Sequence, residues 1–317
     1  KYCDIKVINP QPFIPKFLNS KISEIPYAET VDNIITYHPK YFSFPKHQLF
    51  KKLFGFMYIV ESLFSFISSK TKLSSLLILW KPDIIHIHGN IMESIFIKYI
   101  KKHNFPYVIN VWGEDVNVYH HQFLTKYFSN YSLKNADKII CQSKSLYNQI
   151  NFKNKCVITT GASIKQFKPT KRKKNDKKII LFVGHLVKRK GVENLIEAFK
   201  LIYWKFRNIE LYIVGDGYSR KKLEKLAYNS YGSLFIHITF FGTIPNNEIS
   251  NFINQSDVVV MPSLSEGLPV VLCEALACGK PIVATSVDGN KEIVNKDVGY
   301  LVEPENPSQL ADKMVLA

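Results

Sequence analysis

Short apolar runs alternate with amphipathic stretches along almost the whole chain. This alternation constrains the fold more than any other feature. Apolar runs of about four to six residues read as strands, and longer stretches with apolar positions three and four apart read as helices. Strands and helices in that alternation imply an α/β protein with parallel sheets. In the second half, strands are expected at 179–183, 211–214, 238–241, 258–261, 282–284 and 300–302. Helices are expected near 191–205, 219–230, 246–255, 270–278 and 306–315. In the first half, strands are expected near 4–8, 83–88, 106–112, 137–141 and 156–159, with helices near 47–70, 90–103, 121–134 and 143–150.

A chain of 317 residues is long enough for two domains. The segment from Lys168 to Lys178 is almost free of apolar residues and reads as a charged hinge. The expected division is a first domain over 1–165, a linker over 166–178 and a second domain over 179–317. Five cysteines, at 3, 141, 156, 273 and 278, form no C-x-x-C pair. That excludes a disulfide scaffold and a cysteine-rich zinc module, and it suits a reducing cytoplasm.

The formal net charge is +16. Residues 1–165 hold 21 Lys/Arg against 10 Asp/Glu, and every cation there is a lysine. Lysine is a point charge, whereas base reading favours arginine forks. The surplus therefore points to an anionic surface, such as lipid headgroups or phosphate, or else to a lysine-rich composition with no partner. No stacking platform or arginine cluster is present, so a nucleic-acid partner is not expected. The most apolar stretch, 53–67, contains Glu61 and is shorter than the roughly 20 residues a membrane-spanning helix needs. Lys51, Lys52, Lys70 and Lys72 border it, as they would border an interfacial helix. A buried crossover helix is the competing reading.

The sharpest motif runs from Ser265 to Gly279. It follows an apolar strand and a short loop. Pro269 suits the first turn of a helix, where a missing N–H is harmless, and Gly279 suits its C-terminal stop. The turn Gly267-Leu268-Pro269 would then present free backbone N–H groups and a positive helix end, an anion site. Glu266 stands just before it and Glu274 one to two turns inside the helix. Two carboxylates on one loop–helix unit cannot easily flank a bond from opposite faces, as a hydrolase pair does. They suit recognition of a ribose diol; a capped helix with two solvent-facing glutamates is the plainer alternative.

A second signal is Gly184-His185-Leu186-Val187-Lys188-Arg189-Lys190-Gly191. Glycine lets a backbone approach a ligand closely, and the cations suit a phosphate. Neither the Rossmann glycine fingerprint nor a P-loop is present. Gly215-Asp216-Gly217 reads as a structural strand-end turn.

Taken together, these motifs resemble the second domain of the retaining, family-four glycosyltransferases of the GT-B architecture, the group 1 glycosyltransferases. The resemblance is carried by 184–191, 215–217, Phe241-Gly242, Pro262-Ser263 and 266–281, in that order. The first half is similar to the same family more loosely, through Pro82-Asp83-Ile84-Ile85-His86-Ile87-His88 and Trp112-Gly113-Glu114-Asp115. Two positions depart from the family pattern. His185 stands where arginine is usual, which makes a phosphate contact there dependent on pH. Trp112 stands where histidine is usual, which leaves Asp115 as the polar candidate on that turn.

The resemblance implies a GT-B fold, two Rossmann-like domains whose parallel sheets face across a cleft. It implies transfer of a hexose from a nucleotide diphosphate sugar to an acceptor hydroxyl with retention. Glu266 and Asp115 become the catalytic candidates. Gly184, His185, Lys190, Gly267, Leu268, Pro269 and Glu274 become the donor-binding ones, with Glu274 on the ribose and Lys190 on the diphosphate. No D-x-D pair lies in a suitable loop, so neither a metal nor a cofactor is expected. The acceptor implied is a sugar or a lipid-linked saccharide in cell-surface polysaccharide synthesis. The enzyme would be cytoplasmic, with a peripheral place on the inner face of the plasma membrane. The rival from another class is a non-catalytic GT-B partner subunit that binds nucleotide without turnover. The opening without methionine and the end at Ala317 read as a fragment lacking both termini of the family's pattern.

Overall fold

A computed structural model describes residues 3–13, 26–43, 54–89, 94–113, 123–171, 177–231 and 237–317. The chain divides into two compact units. One comprises Lys1–Cys141 with Leu146–Val157, the other Gln142–Ser145 with Ile158–Ala317.

The second unit is built on one six-stranded sheet: β10 (Lys178–Val183), β11 (Ile209–Val214), β12 (Ile238–Gly242), β13 (Val258–Met261), β14 (Ile282–Thr285) and β15 (Gly299–Val302). Every pairing is parallel, and the spatial order is β12-β11-β10-β13-β14-β15. This is the doubly wound order. Its switch point lies between β10 and β13, where successive connections leave in opposite directions and ligands collect at the carboxyl ends of the strands. The inner strands β13 and β14 are buried at all four positions, as in a parallel sheet covered on both faces. The helix Val192–Tyr203 shows how cover is achieved. It buries Val192, Leu195, Ile196, Phe199, Ile202 and Tyr203, a three-and-four spacing that places one stripe on the sheet. Phe182, Phe199, Leu211 and Val259 lie together in the resulting core.

The first unit carries a four-stranded parallel sheet in the order β6 (Ile85–His88), β7 (Tyr107–Val111), β8 (Lys138–Cys141), β9 (Lys155–Val157). Its core contains Ile97, Ile100, Tyr107, Ile109, Val111 and Ile139. The expected opening strand is present as β1 (Lys6–Ile8). The sequence reading missed the strands that follow: β2 (Gln11–Phe13), β3 (Ala28–Val31), β4 (Ile34–Tyr37) and β5 (Lys40–Phe42). Strand β4 pairs in parallel with β1 and antiparallel with β3, and β2 pairs with β5. The β3–β4 hairpin turns at Asp32-Asn33, both in the left-handed region, as a two-residue primed turn demands. All of β3 is exposed, so it carries no apolar alternation to announce it.

The helix Phe54–Ser75 turns its polar side inward. Glu61, Ser62, Ser65 and Ser69 are buried, and Glu61 accepts a 2.7 Å hydrogen bond from Ser43 Oγ. Leu63, Phe64 and Ile67 are exposed. Among the described residues no helix is long and apolar enough to cross a membrane.

Candidate active site

Three loops meet at the carboxyl end of the second unit's sheet. The loop after β10 is tied to the loop after β11. Gly184 N–H donates to Val214 O and Leu186 N–H to Asp216 O, both at 2.9 Å, and Ser219 N–H returns to Leu186 O. Any Cβ at Gly215 would lie 2.0 Å from Gly184 O, so the close approach of the two loops requires glycine there. The loop ends in a short 3₁₀ turn, Lys188–Lys190, closed by Gly191 at φ 65°. Leu264 N–H, in the loop after β13, then donates to Arg189 O at 2.7 Å.

That contact places Lys190 beside Glu266. Lys190 Nζ donates to Glu266 Oε1 at 2.6 Å, and Ser263 Oγ donates to the same oxygen at 2.6 Å. Arg189 Nη1 is 4.0 Å from Oε2. Glu266 is only 5% exposed. A carboxylate so buried survives because a cation and a hydroxyl are on it. Arg189 was read only as one of the loop's cations and Ser263 only as part of the pattern that carried the resemblance; their contacts to Glu266 were not foreseen.

The helix after the loop is Val270–Ala277. The sequence reading put Pro269 in its first turn; the structure makes it the residue before, with φ −76° and ψ 105°. No side chain caps this end, and its first turn contains no acid. Its first N–H groups therefore lack intrahelical partners and carry the positive end of the helix dipole. Gly267 and Leu268 are half-buried and Pro269 is buried. At the other end Gly279 is left-handed, and Lys280 N–H reaches back to Ala275 O, the expected stop.

Glu274 is half-buried inside this helix, and burial alone pushes its carboxyl above the usual carboxylate range. No described residue offers it an ion pair or hydrogen bond. Because the folded value is raised, Glu274 stabilises the fold fully only while protonated, and stability is lost as pH rises through the folded value. Glu274→Gln is therefore expected to raise the melting temperature at pH 7. The advantage should vanish below the ordinary carboxylate range, as calorimetry at both pH values would show.

His185 is exposed, and Gly184 is half-buried at the end of β10. In the first unit His86 and His88 stand two apart on β6 with rings stacked at 4.5 Å, and His88 is 6.1 Å from the Trp112 ring. Burial lowers both imidazole pKa values, and the neighbouring His88 lowers that of His86 further. Glu114 and Asp115 lie outside the described residues. No group of three or more His, Cys, Asp or Glu that could hold a metal occurs among the described residues.

A doubly wound parallel sheet with a cation-bearing loop and an uncapped helix at its switch point is the arrangement in which α/β domains bind anionic ligands. Residues 163–317 match the family described as glycosyl transferases group 1, and residues 39–143 match the glycosyl transferase 4-like family. The chain thus carries a group 1 glycosyltransferase domain in its second half and a glycosyl transferase 4-like segment in its first. It is 33% identical over 237 residues to an uncharacterized glycosyltransferase of Methanocaldococcus jannaschii, covering 74% of this chain and 64% of that one. It is 27% identical over 247 residues to the putative teichuronic acid biosynthesis glycosyltransferase TuaC of Bacillus subtilis, covering 73% and 60%. The chain thus spans under two thirds of the length of these relatives. Among solved structures, sucrose-phosphate synthase from Thermosynechococcus elongatus superposes with a TM-score of 0.74 at 22% identity, covering 92% of this chain and 76% of that one. HepE from Anabaena, solved with UDP and glucose, gives 0.69 at 18%, covering 87% and 74%. The fold is GT-B.

Proposed function

We propose that this protein transfers a hexose from a nucleoside diphosphate sugar to an acceptor hydroxyl with retention of configuration. The observation that carries the reading is Glu274: a desolvated carboxylate with no described partner, in a helix whose N-terminus no side chain caps. A ribose diol supplies the two donors such a carboxylate lacks. HepE was solved with UDP and glucose, which supports the donor class.

In this reading the diphosphate meets the N–H groups at Val270 and Val271 and the Lys190 ammonium. Lys190 has three N–H donors, and Glu266 accounts for one. The leaving diphosphate gathers charge as the glycosidic bond breaks, and fixed donors there stabilise it without a metal. Gly184 allows close backbone approach, and His185 adds a pH-dependent donor. Gly267, Leu268 and Pro269 shape the turn. Glu266 holds Lys190 in place and leaves Oε2 for a sugar hydroxyl. Asp115 is assigned to catalysis by the resemblance alone.

The acceptor proposed is a sugar or a lipid-linked saccharide, with cell-surface polysaccharide synthesis as the setting; TuaC's description supports that class. The exposed Leu63, Phe64 and Ile67, with Lys70 one turn on, support a peripheral place on an anionic membrane at its cytoplasmic face.

The test is thermal unfolding with UDP, GDP and ADP in turn. A nucleotide at about 100 times its dissociation constant adds about 2.7 kcal/mol, several degrees for units of this size. One nucleotide is expected to give this shift, and Glu274→Ala to abolish it. No shift with any of the three would overturn the reading. Binding without release of nucleoside diphosphate from the matching sugar donor would favour a non-catalytic subunit instead.

A further inference from the structure

Behind the Lys190–Glu266 pair lies a buried polar ladder that the proposed reaction does not yet use. Asn290 is fully buried. Its Nδ2 donates to Thr285 O at 2.9 Å and to Thr285 Oγ1 at 3.3 Å. The Thr285 hydroxyl, itself buried, donates to Ser263 O, with Met261 O at 3.4 Å. Ser263 Oγ donates to Glu266 Oε1, and Glu266 accepts Lys190. The donations run in one direction, from the helix Asp288–Ile293, through the end of β14, into the loop after β13, and on to the carboxylate that holds the ammonium. The backbone is fitted as closely: a Cβ at Gly289 would lie 2.0 Å from Gly267 O.

We propose that Thr285 and Asn290 are positioning residues that act through Ser263 and Glu266 to hold the Lys190 ammonium at the diphosphate. A hydroxyl has one proton to give. Thr285 gives it to the Ser263 carbonyl while accepting from Asn290, and so fixes the residue of the loop after β13 whose hydroxyl bonds Glu266. Burial makes each link sensitive, because a stranded partner finds no water. The diphosphate contact rests on the reading under "Proposed function"; the ladder's hold on Lys190 does not.

Thr285→Val removes the hydroxyl and keeps the shape. The first readout needs no nucleotide: the rate of Lys190 acetylation by acetic anhydride, followed by peptide mass spectrometry in the ligand-free protein. Thr285→Val is expected to raise that rate several-fold, and Thr285→Ser to restore it. Leu310→Ala, a buried core change elsewhere in the same unit, controls for lost stability and is expected to leave the rate unchanged. The second readout is the ratio of nucleoside diphosphate to monophosphate affinity. It should fall about tenfold in Thr285→Val, the size of one hydrogen bond to a charged group. It should fall no further when Thr285→Val is added to Lys190→Ala. An unchanged acetylation rate, or an equal rise in Leu310→Ala, would overturn the ladder whatever the nucleotide data show. Raised acetylation with no nucleotide binding in the native protein would overturn the donor reading and leave the ladder standing.

Discussion

Replacing Glu266 by alanine is expected to lower the unfolding free energy of the second unit by about 3 kcal/mol and to abolish nucleoside diphosphate binding. The reason is what stays behind. Lys190, whose side chain is only 13% exposed, and Ser263, fully buried, both direct their hydrogen bonds at Glu266 Oε1. Without that oxygen a buried ammonium and a buried hydroxyl lack an acceptor. Removing one partner of such a pair is far more damaging than removing both. Adding Lys190→Met to Glu266→Ala should therefore recover at least half of the lost stability while binding stays absent. Urea denaturation of the two variants, with the slope unchanged, checks the first claim, and nucleotide titration checks the second. Equal stability losses would show that the charge is well hydrated despite its burial.

Gly191→Ala should be the more damaging change, on the order of 4 kcal/mol. Gly191 sits at φ 65°, and a Cβ there would lie 2.0 Å from Pro262 O. No rotamer relieves that overlap, because both atoms belong to, or are fixed by, backbone. Either the turn Lys188–Lys190 or the loop after β13 must move, and the Leu264 N–H to Arg189 O bond joins the two. The variant should thus lose nucleotide binding even where it remains folded. Circular dichroism in urea would give the stability change. A midpoint close to that of the native protein would mean that the two loops separate without penalty.

The second unit was legible in the sequence because a doubly wound sheet writes itself in long apolar runs. All six of its strands were expected close to where they lie, since strands buried on both faces carry almost no polar residues. The hairpin β3–β4 was invisible for the opposite reason. Its first strand is exposed throughout, and its turn uses Asp32-Asn33 rather than a glycine. In the site, Glu274 stood out because a charge inside an apolar helix needs a partner, and Lys190 through the resemblance of its loop to the family pattern. Ser263, Thr285 and Asn290 did not, since a small polar residue at or just beyond a strand end, or in a short helix, is ordinary until its neighbour is known. Their relation is made by β13 and β14 lying side by side, which no local pattern declares. The placement of Pro269 one residue early is the usual uncertainty of a helix end.

The order of the strands also sets the time at which the site can first exist. The central neighbours β10 and β13 pair through Ile180 with Val258 and Leu181 with Val259, and β14 adds Thr285 only later in the chain. While the chain is being made, β10 can pair with β11 long before its other neighbour has left the ribosome. One edge of β10 stays open through that interval, and open parallel edges close slowly and attract other chains. The Lys190–Glu266 pair and the ladder behind it cannot be complete until β13, β14 and the helix Asp288–Ile293 have been made. A ligand of this site would therefore recognise only the finished domain: it has nothing to bind while that edge of β10 is open, and it stabilises the domain only after β13 and β14 are in place.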